Sequence, residues 1–321
     1  MINKLISCRF CQQFECDILY PTCDMYGNTY NICKCKKCNA YFLGPPPDKV
    51  VLDKAYDSSY YGEKEEKFYS ILEKVLDYFR WKRAKRVSFY LNNGAKILDI
   101  GCGNGRFLNA LLKFGKFELY GTEMKGNSAN RAMRIPEINL KIGALSETDY
   151  ASEFFDTITM FHVFEHLTEP KNTLEIIEKI IKKRGIFIIS FPNIDSLQSN
   201  LFKGKWLHLD PPRHLFFFAP NDFISLLEKY GFKLLKQRYV SAEHNPYGMV
   251  QSILNLLYNK REILYEFFKR NSTYLKDVSK VSLFFQLVFF LLTFPLFTIT
   301  DILLALFKKG ATVEFIFQKG N

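Results

Sequence analysis

The sequence predicts an α/β fold in which a mainly parallel sheet carries helices on both faces. From about 96 to 240, short apolar runs alternate with stretches of helical periodicity, which is the pattern of parallel strands joined by helical crossovers. Within that region the run 97–105, ILDIGCGNG, ends in an acid and three alternating glycines. Such a run indicates a strand that turns sharply into a helix.

Length and composition limit what surrounds this fold. The 321 residues exceed one average domain, so one large α/β domain with appendages is expected. The formal net charge of +11 favours an anionic partner such as nucleic acid, phospholipid or a phosphorylated substrate, and charge alone does not choose among them. Residues 1–14 show no apolar core followed by a cleavage site, so we expect a cytoplasmic protein.

The glycine run and a second acid resemble a known family. Gly101, Gly103 and Gly105 lack the Cβ atoms that would block close approach of a ligand, and Glu123 ends the next apolar run, at a distance suited to ribose hydroxyls. A dinucleotide-binding dehydrogenase would have its third glycine where Arg106 stands. The run resembles the first motif of class I S-adenosylmethionine-dependent methyltransferases, (I/V)LDIGCG(T/N/S)G, almost letter for letter.

The resemblance implies S-adenosylmethionine as cofactor and a Rossmann-like sheet of seven strands in the order 3-2-1-4-5-7-6, with the last strand antiparallel. We expect the strands near 96–100, 117–122, 139–142, 155–161, 185–190, 232–240 and 312–318. The implied cofactor-binding residues are Asp99, Gly101, Cys102, Gly103, Gly105, Glu123, Met124, Leu145, Phe161 and His162. Ala144 stands where family members usually carry an acid for the adenine amino group, so adenine recognition is expected to depend on backbone groups and Leu145.

Cysteines are concentrated at the start of the chain, where seven of the eight fall within 38 residues. In a reducing compartment this distribution favours a metal over disulfides. Two C-x-x-C pairs, Cys8 with Cys11 and Cys35 with Cys38, can supply four thiolates to one structural zinc. Cys16, Cys23 and Cys33 compete as ligands. Methyltransferases associated with sugar and polysaccharide biosynthesis resemble this start, with two such pairs, a proline-rich linker and a pair like Tyr60-Tyr61.

A long helix is expected after the linker prolines 45–47. Apolar residues at helical spacing predict it over Glu63–Leu91, where it would cover the cofactor pocket. Basic residues crowd its end, namely Arg80, Lys82, Arg83, Lys85 and Arg86. Two interpretations of these residues remain open, a solvated helix face and a phosphate-binding patch.

The fourth expected strand ends in His162-x-x-Glu165-His166. The same letters match the inverted zinc-protease motif, which we reject because that motif needs a long helix and a distant third ligand. Related O-methyltransferases place an acid-x-x-Glu-His motif here to bind a divalent ion. We favour the alternative in which Glu165 and His166 cap the following helix. The Asn/Asp-Pro-Pro-aromatic motif of enzymes that methylate base amines does not occur at this position.

A long non-periodic connection follows the fifth expected strand and has the form of an acceptor lid. It resembles the P-N and W-x-H-x-D-x-P-R-H-L signature of the sugar-associated methyltransferases. Imidazoles titrate near neutrality, so the general-base candidates are His214, His208 and, from the preceding motif, His166. Asn193 and Arg213 are the substrate candidates, and Arg213 either binds a substrate phosphate or pairs with Asp210.

Val281–Thr300 contains no charged residue and is long enough to cross a membrane. A single crossing is excluded if 232–240 and 312–318 are neighbouring strands, because both ends of the insert then lie on one side. We expect a hairpin broken near Pro295 that contacts a membrane surface through 281–307, or a helical pair packed on protein.

The predicted organisation is a zinc-ribbon-like module (1–44), a linker and covering helix (45–92), a methyltransferase domain (93–245 and 311–321) and a helical insert (246–310). The function expected is O-methylation of a sugar or lipid-linked glycan precursor at the inner face of the membrane. A quinone or small-metabolite O-methyltransferase, a zinc-ribbon RNA methyltransferase and a non-catalytic adaptor are the alternatives. A nucleic-acid partner is not favoured.

Overall fold

A computed structural model describes residues 6–56 and 70–321 of the chain. The N-terminal part forms an antiparallel sheet of β1 (Cys16–Cys23), β2 (Thr29–Cys35) and β3 (Tyr41–Gly44). A short fourth strand, β9 (Phe216–Phe217), pairs with β3 although it comes much later in the chain. The N-terminal module is therefore joined to the main domain by strand pairing as well as by the linker.

The main sheet has seven strands in the order β10-β11-β8-β7-β4-β5-β6. Its members are β4 (Lys96–Ile100), β5 (Glu118–Glu123), β6 (Ile138–Ile142), β7 (Phe155–Phe161), β8 (Ile181–Pro192), β10 (Phe232–Arg238) and β11 (Thr312–Lys319). Strand β11 runs antiparallel to both neighbours, and the other pairs are parallel. The expected Rossmann-like methyltransferase sheet, with the last strand inserted between the fifth and the sixth, is confirmed.

Helices cover both faces of this sheet and continue into the C-terminal insert. They are α1 (Lys49–Ala55), α2 (Ser70–Ser88), α3 (Arg106–Leu111), α4 (Asn127–Ala132), α5 (Pro170–Ile180), α6 (Leu197–Phe202), α7 (Pro220–Lys229), α8 (Asn245–Leu257), α9 (Ile263–Phe268), α10 (Ser272–Leu275) and α11 (Lys280–Leu306). Helix α2 is the described part of the predicted covering helix; residues 63–69 and the Tyr60-Tyr61 pair lie outside the described residues.

The core is continuous between the two sheets. Phe42 of β3 and Phe10 belong to the same buried cluster as Phe164, Phe216 and Phe218 of the main domain. The Phe10 and Phe218 rings meet edge to face with centroids 5.1 Å apart. The N-terminal sheet thus packs as a wall of the main domain.

The insert differs from its expectation. No break occurs at Pro295, because Lys280–Leu306 is one helix of 27 residues that continues through the proline. Proline removes a single N–H donor, and the carbonyl that loses its partner, that of Leu291, belongs to the exposed face of the helix. The prediction of a hairpin or a helical pair was therefore wrong, whereas β10 and β11 are neighbours as expected.

Candidate active site

The glycine loop after β4 forms an open cradle. Gly101, Gly103 and Gly105 all have positive φ, at 70°, 58° and 72°. A Cβ on Gly101 would overlap the side chain of Val163, so this glycine is required for packing. A Cβ on Gly103 would meet nothing within 4 Å, so that position faces open space. The loop therefore has the shape that a nucleoside-bearing ligand needs against the backbone.

Two acids flank the cradle. Gly103 N–H donates to Glu123 Oε2 at 2.7 Å, which fixes the carboxylate of Glu123 beside the loop. Thr159 Oγ1 donates to Asp99 Oδ1 at 2.7 Å beneath it. Burial raises the pKa of Asp99 to about 7, and burial also raises the pKa of Glu123. The residues present thus fit S-adenosylmethionine: Glu123 would hold the ribose hydroxyls, and the glycine loop would hold the rest of the nucleoside.

Other residues implied for the cofactor lie around this cradle to differing extents. Cys102 is buried beneath the loop, where its Sγ is close to Gly121. Met124 follows Glu123 and is exposed. Leu145 follows β6 and packs against the core. Phe161, at the end of β7, packs edge to face on Phe107 with centroids 5.1 Å apart.

His162, which directly follows β7, lines a cavity near the glycine loop. His162 has a φ of 55°, and its N–H donates to the carbonyl of Ser190 on β8 at 2.9 Å. Its ring packs on that of His244 with centroids 4.3 Å apart. Both histidines line a cavity of about 70 Å³ between α2 and the loop that joins β10 to α8. His244 belongs to none of the sequence motifs and was not predicted as a site residue.

Both imidazoles in this cavity are neutral at neutral pH. Burial lowers the pKa of His162 to about 4 and that of His244 to about 3. His244 Nε2 is buried and has no hydrogen-bond partner in the described part of the chain, and the nearest carboxylate oxygen, Glu243 Oε2, is 3.7 Å away. The arrangement offers an uncharged proton acceptor that is packed on His162, the residue before Val163, which lies against Gly101 of the cradle.

A buried polar cluster lies behind His162. Glu165 Oε1 is 3.4 Å from His162 Nδ1 and 3.9 Å from His214 Nε2, and neither oxygen of Glu165 has a hydrogen-bond partner among the described residues. Burial raises the pKa of Glu165 to about 7. Glu165, His166 and His214 each present one atom within 4.8 Å of the others. The structure therefore groups Glu165 and His166 with His214, and His162 contacts this group from the cavity side.

The three histidines that the sequence suggested as general bases are engaged in contacts within the protein. His166 Nδ1 is 2.8 Å from the Tyr56 hydroxyl, and His214 Nδ1 donates to the carbonyl of His208 at 2.8 Å. His208 is packed against Gly248 of α8. The residues that line the 70 Å³ cavity do not include these three histidines.

The two substrate candidates also make internal contacts. Arg213 is buried and forms a two-pronged ion pair with Asp210, with 2.9 Å between Nε and Oδ2. Although burial opposes ionisation, Arg213 lowers the pKa of Asp210 to about 2. Asn193 is fully buried, and its amide donates to the carbonyl of Gly310 at 2.9 Å. Of the two interpretations of Arg213, the structure displays the pairing with Asp210.

The four cysteines of the two C-x-x-C pairs come together. Their Sγ atoms lie within 4.8 Å of one another, with 3.5 Å between Cys8 and Cys38 and 3.5 Å between Cys11 and Cys35. Four sulfurs at such distances fit a tetrahedral zinc with bonds of about 2.3 Å. The contact between Cys8 and Cys38 lowers the pKa of Cys8 and raises the pKa of Cys38, as expected of two thiols that share one proton.

Fold and cradle together define a class I S-adenosylmethionine-dependent methyltransferase. A model of the methyltransferase domain family matches residues 72–237. This match covers just over half of the chain, and the chain belongs to that family.

Curated relatives are distant. The chain is similar to a protein named ubiquinone biosynthesis O-methyltransferase from Ruegeria sp. (strain TM1040), with 26% identity over 148 residues, 43% of this chain and 60% of that protein. A protein of the same name from Shewanella sp. (strain ANA-3) is 22% identical over 166 residues, 48% of this chain and 69% of that protein. The chain thus spans about 60% of the length of the first of these relatives.

Solved structures align with the chain at low identity. A crystal structure titled as a sarcosine dimethylglycine methyltransferase from Galdieria sulphuraria aligns over 76% of this chain and 85% of that chain, with 17% identity and a TM-score of 0.48.

Proposed function

We propose that the chain is an S-adenosylmethionine-dependent O-methyltransferase whose acceptor hydroxyl enters the cavity lined by His162 and His244. The observation that carries the proposal is the contact between two imidazoles in one cavity, those of His162 and His244. His162 directly precedes Val163, whose side chain lies against Gly101 of the cradle. Bound S-adenosylmethionine supplies an activated methyl group, so the protein mainly has to align the acceptor oxygen and exclude water. The unpartnered Nε2 of His244 accepts the hydroxyl proton as the oxygen is methylated.

Two acceptor classes fit this proposal. The first is a sugar or lipid-linked glycan precursor. It is supported by a resemblance to sugar-associated methyltransferases, which lies in the cysteine pairs, the linker and the W-x-H-x-D-x-P-R-H-L signature. The second is a quinol or small-metabolite hydroxyl, which is supported by the names of the distant curated relatives. A panel of both classes assayed by transfer of a labelled methyl group separates them.

The general-base role is tested with His244→Asn. We expect S-adenosylmethionine to bind this variant within about threefold of the wild-type affinity, whereas methyl transfer falls by about 10²-fold or more. His208→Asn is the matched control, since His208 is also a buried histidine but does not line the cavity. Equal losses of methyl transfer in the two variants would show that His244 has no specific role in the reaction. Absence of S-adenosylmethionine binding in the wild type would overturn the enzyme assignment.

We further infer that the cysteine cluster holds a structural zinc and that α11 lies against a membrane surface. Helix α11 is long and apolar enough to cross a membrane, and only 6% of its most apolar 18-residue stretch is buried in the protein. Its exposed residues form one apolar stripe, Val281, Phe284, Phe285, Leu291, Leu292, Leu296, Ile299, Ile302, Leu303, Leu306 and Phe307. The opposite face packs on α8 and α9, which favours a helix in the plane of the interface over a span.

A further inference from the structure

A groove extends from the His162 cavity along the sheet and has three chemically distinct parts. Ser190 and Thr312 lie at the histidine end, where β8 and β11 pair. A cleft of about 290 Å³ continues past Ile188 and Ile316 on the same two strands. Alternate residues of a strand share a face, so Thr312, Glu314 and Ile316 line one side over about 13 Å.

The middle of the groove is cationic. Arg86, Arg238 and Glu314 line both the cavity and the cleft, so they mark the junction of the two. Arg86 pairs with Glu314 at 3.0 Å, and Arg238 faces the same glutamate across the strand pair. Lys236 lies next to them on β10. Along the whole groove, five cationic side chains stand against two carboxylates, those of Glu243 and Glu314.

This positive charge is only partly neutralised within the protein. Across 6–56 and 70–321, no hydrogen bond or ion pair reaches the guanidinium of Arg238 or the ammonium of Lys236, although both line the cleft. The Nε of Arg86 is buried and also has no partner among these residues. Guanidinium groups recognise phosphate by paired hydrogen bonds, so the junction is suited to a phosphate oxyanion.

The far end of the groove is apolar. Val87, Phe89 and Tyr90 at the end of α2 face Ile188 and Ile316 across the cleft. Phe89 is 77% exposed although it is aromatic, which leaves its ring open to an apolar ligand. The order along the groove is therefore imidazole, then guanidinium, then hydrocarbon.

We propose that the acceptor is a lipid phosphate, with its hydroxyl-bearing head at His162 and His244, its phosphate at Arg86 and Arg238, and its hydrocarbon chain along Phe89, Ile188 and Ile316. This proposal rests on the methyltransferase function proposed above and narrows its substrate class. Of the two interpretations of the basic residues at the end of α2, the proposal favours the phosphate-binding patch, to which Arg86 contributes, over a solvated helix face.

The test uses octyl phosphate below its micellar concentration as probe, titrated calorimetrically into the full chain loaded with S-adenosylmethionine. We expect octyl phosphate to bind at least tenfold more tightly than inorganic phosphate and at least tenfold more tightly than the uncharged octyl glucoside. Arg238→Gln should weaken octyl phosphate by about tenfold or more and leave octyl glucoside unchanged. Phe89→Ser should weaken both amphiphiles and leave inorganic phosphate unchanged.

Lys229→Gln is the matched control, because Lys229 is an exposed cation on α7 that lines neither part of the groove. Equal affinities for octyl phosphate in wild type and Arg238→Gln would overturn the proposal, and so would equal affinities for octyl phosphate and octyl glucoside. If inorganic phosphate binds as tightly as octyl phosphate, the site binds a free phosphate and the proposal of a lipid phosphate is wrong. Cofactor affinity, measured in the same samples, separates failure of this proposal from failure of the enzyme assignment.

Discussion

At the scale of single residues, the glycines of the cradle have different roles, because some are needed for packing and Gly103 is open to a ligand. Gly103 has a φ of 58° and open space where a Cβ would stand. Gly103→Ala should therefore cost only the strain of a left-handed alanine, about 1–2 kcal/mol in the free energy of unfolding. The added methyl group would project into the cradle, so we expect the affinity for S-adenosylmethionine to fall at least tenfold in calorimetric titration.

Gly94 provides a control with the same backbone cost. It has a φ of 78°, and a Cβ at this position would likewise meet nothing within 4 Å, but Gly94 precedes β4 and lies outside the cradle. Gly94→Ala should lower stability by a similar amount and leave cofactor affinity unchanged. If both variants bind S-adenosylmethionine as the wild type does, Gly103 does not contact the cofactor.

Asp99 predicts a pH dependence of stability. Burial raises its pKa from 3.8 to about 7, so the folded state holds a proton that the unfolded state has already released between these values. The contribution of Asp99 is therefore most favourable below pH 4 and is lost as the pH rises to 7. Asp99→Asn removes this loss, and its stability relative to the wild type should rise by about 4 kcal/mol from pH 4 to pH 8. Urea unfolding of both proteins across this range is the measurement, and parallel profiles would contradict the assignment.

His244 shows what sequence reasoning does not reach at this scale. The three glycines lie in one local turn, and so do the two cysteines of each C-x-x-C pair, so these contacts could be predicted from spacing. Glu123 could be placed because it ends the next apolar run. His244 belongs to no motif, and it reaches His162 only because the β10 to α8 loop folds over the end of β7. A histidine directly before the Asn-Pro that opens α8 was the one signal in the sequence.

At the scale of elements, the cysteine cluster joins the segment before β1 to the end of β2. The two C-x-x-C pairs flank β1 and β2, and β3 continues the sheet to β9. We expect one zinc ion per chain by atomic absorption. Cys11→Ser should remove the zinc and lower the melting temperature by several degrees or more, because metal binding contributes directly to folding.

Cys16→Ser is the control for this variant. Cys16 lies at the start of β1 and, like Cys11, is partly buried, but it is not one of the four clustered sulfurs. Zinc content should stay at one in Cys16→Ser. If Cys16→Ser loses zinc and Cys11→Ser does not, Cys16 rather than Cys11 is a zinc ligand. A wild type that contains no zinc would contradict the zinc site altogether.

The long helix shows the limit of local rules for elements. A proline in an apolar run predicts a break, whereas α11 continues through Pro295. The carbonyl that loses its donor, that of Leu291, lies on the exposed face of the helix. Packing decides the outcome: Asp301 accepts hydrogen bonds from Ser241 and Asn245, at 3.1 Å and 2.6 Å, and holds the second half of α11 to the loop that lines the His162 cavity. Nothing in the local sequence around Pro295 contains this contact.

At the scale of the whole molecule, strand order was predictable and sheet-to-sheet contact was not. The alternation of strands and helices indicated a mainly parallel sheet. The order of its strands was implied by the resemblance of the 97–105 run to a family with a known sheet. The pairing of β3 with β9 links Tyr41 and Phe42 to Phe217 and Phe216, two phenylalanines in an aromatic run that could equally have been core or lid. Only the folded arrangement specifies which segment the N-terminal sheet contacts.

The exposed stripe of α11 makes a prediction for the molecule as a whole. A helix of 27 residues is about 40 Å long, and its outward face is apolar along that length. Lys276, Lys280 and Lys308 flank it and are exposed, which suits the anionic surface of a membrane, at about 1 kcal/mol for each lysine. We expect the protein to float with phosphatidylcholine vesicles that contain one-fifth phosphatidylglycerol, and to bind pure phosphatidylcholine at least tenfold more weakly.

Phe285→Glu combined with Leu292→Glu tests the stripe directly, because both side chains are exposed and their replacement should not affect folding. Each loses about 2 kcal/mol of apolar burial in the interface, so the double variant should partition at least 10²-fold less well. Val50→Glu with Met133→Glu is the matched control, since these apolar residues are exposed elsewhere. A wild type that stays off vesicles and is dimeric by light scattering, but monomeric after the Phe285 and Leu292 changes, would make this face a contact between two copies of the chain.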